Sequence, residues 1–318
     1  MNAAEILAQI PRLSALVVGD VCLDRWCHYD PSLSEPSRET SIPRVAVTSV
    51  EVTPGAAGTV ASNLASLGAA RVAILGLVGD DGHAFELSRS LAARSISTDL
   101  LIRSPLVSTF TYSKLLNPSG AEDLPRLDFI NARPIPEQIE RQMIETLRNK
   151  ISDFDVIAVS DQAETPEGGC VTPRLRDAIA SLGPAQTVWV DSRARAEHFR
   201  NAILKINRDE CSAACSRIRG DEQALRMLAR SKMLIVTDGP RGALLVNEHG
   251  VMNVPARRVD RPVDICGAGD AFSAAAALAF AVTNSPLDAI HFGHFVASHT
   301  IMKKGTGSVT PDELLAGS

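Results

Sequence analysis

The order of apolar and polar positions along the chain predicts strands that alternate with helices. Short apolar runs recur with helical patterns between several of them, at residues 15–18, 72–77, 156–159, 188–190 and 234–236. Strands in such an alternation form βαβ units and a mostly parallel sheet with helices on its faces. The pattern therefore predicts one α/β domain that covers residues 1–318.

A small-residue run near the C-terminus predicts a buried helix. Residues 271–282 are mostly Ala and contain neither Pro nor Gly, which favours a helix that starts near Ala268. Gly267 and Gly269 let the backbone approach a ligand, and the first-turn N–H groups have no helical partners. With the helix dipole, this turn predicts a pocket for an anion, most often a phosphate.

Asp270 is an acidic residue beside this predicted anion pocket. A carboxylate there repels the anion unless it acts, for example by accepting a proton from a hydroxyl that attacks phosphorus. Alternatively, Asp270 only complements the helix dipole, which is the more common case for an isolated Gly-x-Gly-Asp turn. The turn alone leaves both interpretations open.

Polar residues follow four predicted strands. They are Asp20, Ser160 with Asp161, Asp191, and Asp238 with Gly239. Ligands of open α/β sheets bind beyond the carboxyl ends of the strands, so this edge is the predicted active-site edge. No Gly-x-Gly-x-x-Gly follows the first strand, which disfavours a nicotinamide dehydrogenase.

Two stretches break the alternation and predict a small antiparallel sheet. Residues 44–52 are β-branched and partly alternating, whereas residues 109–116 and 126–129 are typical of strands around a turn at 117–120. We predict a β lid over the cleft; ordinary edge strands of one sheet are the alternative.

The predicted lid comprises segments of about 26–52 and 109–129. A sheet of this kind exposes an apolar face and strand edges that proteins normally cover. The sequence therefore predicts a homodimer that forms through the lid.

A second segment of small residues, 54–68, predicts another close approach of the backbone to a ligand. Gly55 and Gly58 surround two alanines, the first of which is Ala56, and open a helix that Gly68 ends. Asn63 lies in the middle of this helix, where Asn is unfavourable, and predicts a hydrogen bond. Helix packing alone would explain the small residues about as well.

Composition narrows the classes of function. The 318 residues are 45% hydrophobic and 22% charged, as in ordinary globular proteins, and the net charge of −5 disfavours a nucleic-acid partner. No apolar run approaches the roughly 20 residues that span a bilayer, and the N-terminus lacks signal-peptide features. We predict a cytoplasmic protein without a membrane partner, whose six cysteines are free thiols.

Four motifs resemble, in order, those of the ribokinase-like (PfkB) carbohydrate kinases. They are the small-residue segment 54–68, N-x-x-E at 207–210, T-x-G-x-x-G at 237–242 and D-x-x-G-A-G-D at 264–270. Within the family, the chain is most similar to the kinase domain of the bacterial heptose-7-phosphate kinase/adenylyltransferase. That similarity includes residues 19–25, Lys114, 126–129, 160–161 and 303–314.

The resemblance implies transfer of the γ-phosphoryl group of ATP to a hydroxyl of a sugar or sugar phosphate. Asp270 would be the general base, and the N–H groups from Gly267 through Ala268 and Gly269 to Asp270 would hold the developing charge. The implied acceptor ligands are Asp20, Asp24, Gly55, Ala56, Asn63, Lys114 and Arg126. The last two, in the lid, would bind a phosphate already on the sugar; a solvated lid face is the alternative.

The resemblance also implies residues for the nucleotide and for ions. They are Thr237, Gly239, Gly242 and His294 for the nucleotide, Asn207 and Glu210 for the nucleotide and Mg²⁺ through water, and Asp264 and Ser308 for K⁺. Two alternatives stay open, a nucleoside kinase of the same fold and a catalytically silent sugar or nucleotide sensor. Gln162-Ala163-Glu164 and Ser192-Arg193 stand where the heptose kinase domain has lysines, which leaves the sugar open.

Overall fold

The computed structural model describes residues 1–117, 123–165, 167–182 and 186–316. Its strands are β1 (Ser14–Gly19), β2 (Val21–Tyr29), β3 (Val47–Ala56), β4 (Arg71–Leu75), β5 (Leu77–Gly79), β6 (Ile96–Ser97), β7 (Ile102–Ser104), β8 (Phe110–Leu116), β9 (Leu124–Phe129), β10 (Val156–Asp161), β11 (Thr187–Ser192), β12 (Ile203–Asn207), β13 (Leu234–Thr237), β14 (Ala243–Asn247) and β15 (Gly250–Val254). Its helices are α1 (Ala3–Leu7), α2 (Ala57–Ser66), α3 (Gly82–Ala92), α4 (Glu137–Lys150), α5 (Pro173–Ala180), α6 (Arg208–Ile218), α7 (Glu222–Leu228), α8 (Ala268–Thr283), α9 (Pro286–Thr300) and α10 (Pro311–Ala316).

The main sheet has, over the described residues, nine strands in the order β15-β14-β13-β12-β11-β10-β1-β4-β6. The pairings from β13 to β6 are parallel, and β14 and β15 add two antiparallel pairings at one edge. The predicted α/β class with a mostly parallel sheet is therefore confirmed. The polar strand ends that were predicted to meet do lie along the carboxyl edge of this sheet.

Helices cover both faces of the sheet and enclose two apolar clusters. On one face, α2, α8 and α9 pack with the sheet, and the alanines of α8 from Ala271 to Ala279 are fully buried. Their small side chains let neighbouring helices approach closely, which explains the Ala-rich run that predicted this helix. On the other face, residues such as Met143 of α4 and Leu175 of α5 form the second cluster.

A separate sheet forms the lid, and its strand order is β3-β2-β8-β9 within the described ranges. The outer pairings are antiparallel, as predicted, whereas the central pairing of β2 with β8 is parallel. The ladder between β2 and β3 has a bulge between His28 and Tyr29 and continues to Val47, where β3 begins, later than the predicted strand. Of the predicted turn at 117–120, residues 118–120 lie outside the described part.

The strands that support the lid and the site were only partly predicted. The run 72–77 is divided into β4 and β5, and β5 pairs with β7 instead of joining the main sheet. No helix in the described ranges combines the length and apolarity needed to cross a membrane.

Candidate active site

The N-terminus of α8 is open because no side chain caps it. Gly267 is the N-cap residue and has φ of 76°, a left-handed conformation that favours glycine. The N–H of Ala268 donates to the carbonyl of Ile265, but the N–H groups of Gly269 and Asp270 have no backbone acceptor among the described residues. This turn therefore offers two N–H donors and the positive end of a helix dipole to an anion.

Asp270 lies in the first turn of α8. Burial raises the pKa of this carboxyl to about 7, and the neighbouring Asp191 contributes to the rise. The positive charges of Lys205 and Arg193 oppose it. A group with a pKa near neutrality can accept a proton during a reaction at pH 7 and release it afterwards, which is the property of a general base.

A buried ion pair supports the turn from beneath. Lys205 Nζ on β12 lies 2.6 Å from Asp191 Oδ2 on β11, and Ser273 Oγ of α8 donates to the same oxygen at 3.0 Å. Burial alone would lower the pKa of Lys205, but the Asp191 carboxylate raises it above its ordinary value. A Cβ built on Gly269 would lie 3.2 Å from this ammonium, so the positive charge borders the anion turn.

Lys205 is a site residue that the sequence analysis missed. It interrupts the apolar run of β12, and a lysine in such a run is the signal that could have identified it. Its partner Asp191 was placed at the active-site edge, but nothing in the sequence joins the two. The tertiary pairing of β11 with β12 brings them together.

Asn207 and Glu210 form a capping box at the start of α6. Asn207 Oδ1 accepts from the Glu210 N–H at 2.9 Å, and Glu210 Oε2 accepts from the Asn207 N–H at 2.7 Å. Oε1 of Glu210 has no partner among the described residues, and burial raises the pKa of this carboxyl. The two residues therefore cap α6, and one oxygen of the Glu210 carboxylate remains available to a ligand.

This donor set fits the implied Mg²⁺. The described part of the chain has no group of three or more His, Cys, Asp or Glu that could hold a metal ion alone. Mg²⁺ usually keeps several waters and binds one or two carboxylates together with substrate phosphates. Glu210, which lies close enough to Lys205 and Arg193 for their charges to act on it, is such a carboxylate.

The lid presents Asp24, Lys114 and Arg126 on one face. Tyr112 pairs in register with Asp24, Lys114 pairs with Trp26, and the Arg126 guanidinium lies over the Tyr112 ring. Burial raises the pKa of Asp24, and the charges of Lys114 and Arg126 lower it, so both cations act on this carboxylate.

Each lid cation has a partner within the lid. Lys114 Nζ lies 4.0 Å from the centre of the Trp26 ring, and an Arg126 nitrogen lies 2.6 Å from Asp128 Oδ2. Beside them is a cavity of about 460 Å³ lined by Trp26, Thr53 and the 304–308 loop, among others.

The cavity reaches the anion turn. Thr306, which lines the cavity, lies 3.5 Å from the position of a Cβ on Gly267. The cavity and the anion turn therefore have Thr306 as a common neighbour.

The segment around Gly55 packs closely against Asp24 of the lid. A Cβ on Gly55 would lie 2.7 Å from Asp24 Oδ2, so only glycine fits here. Ala56 has φ of 51° and is the N-cap of α2. Asn63 Nδ2 donates to the carbonyl of Thr59 at 2.9 Å, whereas its buried Oδ1 has no partner among the described residues. That oxygen is available to a hydroxyl donor.

Asp20 is engaged differently from the other predicted acceptor ligands. Its two carboxylate oxygens accept from the N–H groups of Cys170 at 2.7 Å and Gln162 at 2.9 Å. Asp20 therefore ties the loop after β10 to the end of β1, and its role as an acceptor ligand stays a prediction.

The predicted nucleotide residues lie at the end of β13 and on α9. Gly239 has φ of 54° and Gly242 has φ of 101°, and both flank the short turn that follows Thr237. His294 is buried, which lowers its pKa to about 4 and keeps the ring neutral. Its Nε2 has no partner among the described residues, so it can bond a polar edge of a base.

Asp264 and Ser308, implied for K⁺, are occupied by protein groups. The Asp264 oxygens accept from the N–H groups of Cys266 at 2.9 Å and Gly305 at 3.0 Å. The Ser308 carbonyl accepts from Lys303 Nζ at 2.7 Å. Because these oxygens already accept hydrogen bonds from protein groups, this donor set does not fit a further cation.

The chain matches the pfkB family carbohydrate kinase profile over residues 14–313. Two relatives are bifunctional proteins HldE, and both are 33% identical to this chain. The protein of Rhodopseudomonas palustris aligns with 99% of this chain, and that of a Bradyrhizobium species aligns with 96%. The alignments cover 65% and 63% of those proteins, so the chain spans about two thirds of their length.

Solved structures of the same fold include a ribokinase and a phosphofructokinase. The Arabidopsis thaliana ribokinase complexed with ribose and ATP has a TM-score of 0.70 at 18% identity and covers 96% of this chain and 98% of that chain. A phosphofructokinase-2 mutant from Escherichia coli has a TM-score of 0.71 at 19% identity, with 96% and 97% covered. These similarities show that the fold is ribokinase-like.

Proposed function

The chain belongs to the pfkB family of carbohydrate kinases, and from that premise we propose that it transfers the γ-phosphoryl group of ATP to a hydroxyl of a sugar phosphate. The observation that carries this proposal is Asp270, whose pKa is about 7. It lies beside two N–H donors without partners and the Lys205 ammonium, which together suit the charge of a phosphoryl group.

In the proposed reaction, Asp24 and Asn63 hold the acceptor, and one acceptor hydroxyl faces Asp270. The hydroxyl oxygen forms a bond to the γ-phosphorus while the bond from phosphorus to the bridging oxygen of ADP breaks. Asp270 takes the hydroxyl proton, and ADP leaves with the electron pair of the broken bond. The N–H groups of the turn and Lys205 stabilise the negative charge on the transferred group.

The nucleotide lies on the other side of the turn in this proposal. Thr237, Gly239 and Gly242 form the turn on which it rests, and neutral His294 bonds its base. Mg²⁺, bound to the phosphates and through water to Asn207 and Glu210, would neutralise part of their charge. The residues of this chain then orient the γ-phosphate toward the acceptor.

A phosphate on the acceptor is supported by the two lid cations. Lys114 and Arg126 share a face with Asp24, and a free sugar needs no such charges. A phosphomonoester carries nearly two negative charges, and the fork of arginine donors matches its oxygens. We propose that both side chains leave their lid partners to bind it.

An ATP-coupled assay with a panel of sugars, sugar phosphates and nucleosides tests this proposal. We expect turnover with a sugar phosphate, and Arg126→Ala should raise its KM about tenfold or more, since a hydrogen bond to a charged group contributes about 1.5–3 kcal/mol. The KM for ATP should hardly change. Arg44→Ala is the control, because Arg44 is an exposed residue between the lid strands that pairs with Glu35.

The panel also separates the alternatives. If the enzyme prefers a free sugar and Arg126→Ala has no effect, the protein is still a sugar kinase, but a sugar phosphate is not its substrate. Preference for a nucleoside would identify a nucleoside kinase. Binding of ATP or a sugar without any turnover would identify a sensor.

A further inference from the structure

Arg193 lies at the carboxyl edge of the sheet, directly after β11, and has no role in the reaction described above. Its NH1 lies 2.5 Å from Oε1 of Glu164, which is on the loop after β10. The side chains are 48% and 34% exposed, respectively. The ion pair therefore forms at the mouth of the cleft, where water can reach both partners.

The same carboxylate is bonded to the lid. Tyr112 Oη on β8 donates to Glu164 Oε1 at 3.3 Å. Burial raises the pKa of Tyr112, so its hydroxyl keeps its proton and remains a donor at neutral pH. Glu164 thus holds Arg193 and the lid strand at once.

Arg193 acts electrostatically on the residues that flank the proposed γ-phosphate position. Burial raises the pKa values of Asp270 and Glu210, and the positive charge of Arg193 lowers both. Lys205, by contrast, is fixed in its buried pair with Asp191. Arg193 is a long, partly exposed side chain that is close enough to act on the same carboxylates. Among the described residues, an exposed ion pair is the only side-chain contact that restrains it.

Building on the proposed function, we propose that Arg193 leaves Glu164 when ATP binds and contacts the transferred phosphoryl group, and that Glu164 is the positioning residue that holds Arg193 in the free enzyme. The carboxylate of Glu164 has two oxygens in a plane and stands in for the phosphate oxygens that the guanidinium would bind. Arg193 would then be a catalytic residue.

The relative strengths of the two contacts favour the exchange. An exposed ion pair raises the equilibrium constant for its formation by at most about fivefold. Hydrogen bonds between a guanidinium and a phosphate contribute roughly 10- to 150-fold. While the acceptor oxygen bonds to phosphorus, ADP leaves and Asp270 takes the proton, Arg193 keeps all its protons and neutralises the charge on the moving group.

The test compares nucleotides with and without the γ-phosphate. We expect Arg193→Ala to weaken binding of a non-hydrolysable ATP analogue, measured by calorimetry, roughly 10- to 150-fold while ADP binding is unchanged. Its kcat should fall about 10²–10³-fold, the usual effect of losing one donor to a developing charge. Arg193→Lys should recover part of both. Glu164→Gln should bind the analogue up to about fivefold more tightly, because Arg193 is released.

Arg174→Ala is the matched control, since Arg174 is 56% exposed and pairs with Glu137 and Glu140 of α4. It should leave the kcat and both affinities unchanged. If Arg193→Ala fails to fold, Arg193→Lys and Glu164→Gln still test whether Arg193 binds the γ-phosphate. An unchanged or weaker affinity of Glu164→Gln for the analogue overturns the proposal.

The outcomes separate this inference from the function on which it rests. In one outcome, the wild-type protein phosphorylates a sugar, and Arg193→Ala keeps both its kcat and its preference for the analogue over ADP. The ion pair is then structural, and the kinase proposal remains intact. Wild-type protein that neither binds the analogue nor phosphorylates any acceptor removes both.

Discussion

Asp270 is reactive because the fold holds its carboxyl close to neutrality. Only the ionised form can accept a proton, and its pKa is about 7. We expect kcat to rise about tenfold per pH unit below pH 7 and to level off above it. Asp270→Asn should lower kcat by about 10²–10⁴-fold. Asp153→Asn, at the opposite end of β10, is the control and should behave like the wild type.

The same pKa shift has a consequence for stability. Because the pKa of Asp270 is raised, the folded state binds more protons than the unfolded state between about pH 4 and pH 7. The contribution of Asp270 to stability is therefore present below pH 4 and is lost as the pH rises through 7. Asp270→Asn should have a higher Tm than the wild type at pH 8 but not at pH 4. An equal Tm at pH 8 would show that the carboxylate is not destabilised.

Lys205 is the residue whose loss should affect both stability and turnover. Lys205→Met leaves Asp191 buried without its partner, which costs about 3–5 kcal/mol. Adding Asp191→Asn should restore much of the stability measured by urea unfolding, because the unpaired charge is removed. Turnover should stay low in the double variant, since the cation beside the anion turn is still missing. Recovery of turnover would restrict Lys205 to a structural role.

At the residue scale, motifs in the sequence predict the candidate site residues but not the ion pairs around them. Asp24, Asn63 and Asp270 stand in patterns that are local in the chain. The pairs of Lys205 with Asp191 and of Arg193 with Glu164 join different strands and loops. A single charged residue carries no information about its partner until the sheet order is known.

Among the elements, α8 depends on two glycines at its start. Gly269→Ala would place a methyl group 3.2 Å from Lys205 Nζ. We expect a tenfold or larger loss of kcat, because the ammonium or the turn must shift, with little change in Tm. Gly82→Ala, in the first turn of α3, is the matched control because a Cβ there meets nothing within 4 Å. Equal kcat values for the two variants would contradict a close approach of phosphate to the turn.

The elements that the sequence predicted are those with an uninterrupted apolar pattern. β1, β10, β11 and β13 are buried throughout most of their length, and α8 is an unbroken run of small residues. β2 was not predicted as a whole because its cleft face carries Asp24 and His28 instead of an apolar stripe. β12 was missed because Lys205 interrupts it, and its burial is tolerated only through the tertiary ion pair.

For the whole molecule, the lid has an exposed apolar face that a single chain does not explain. Register places Val50, Leu127 and Phe129 on the face of the lid opposite Asp24. Their side chains are 41%, 55% and 44% exposed. α3 contacts part of this face, where the His83 ring lies 4.9 Å from the Phe129 ring. The rest of the apolar face, with two strand edges that are unpaired among the described residues, is of the kind that another chain normally covers.

We therefore expect a homodimer in which two lids pack through this face. Light scattering at micromolar concentration should give twice the mass of one chain, 33.9 kDa. Leu127→Asp should give a monomer, because an aspartate in an apolar contact loses its water without gaining a partner. Val251→Asp is the control, since Val251 is 59% exposed on β15 of the main sheet, and it should remain dimeric. A monomeric wild type would contradict the dimer. Dissociation of the dimer by both substitutions alike would show that the contact does not depend specifically on this face.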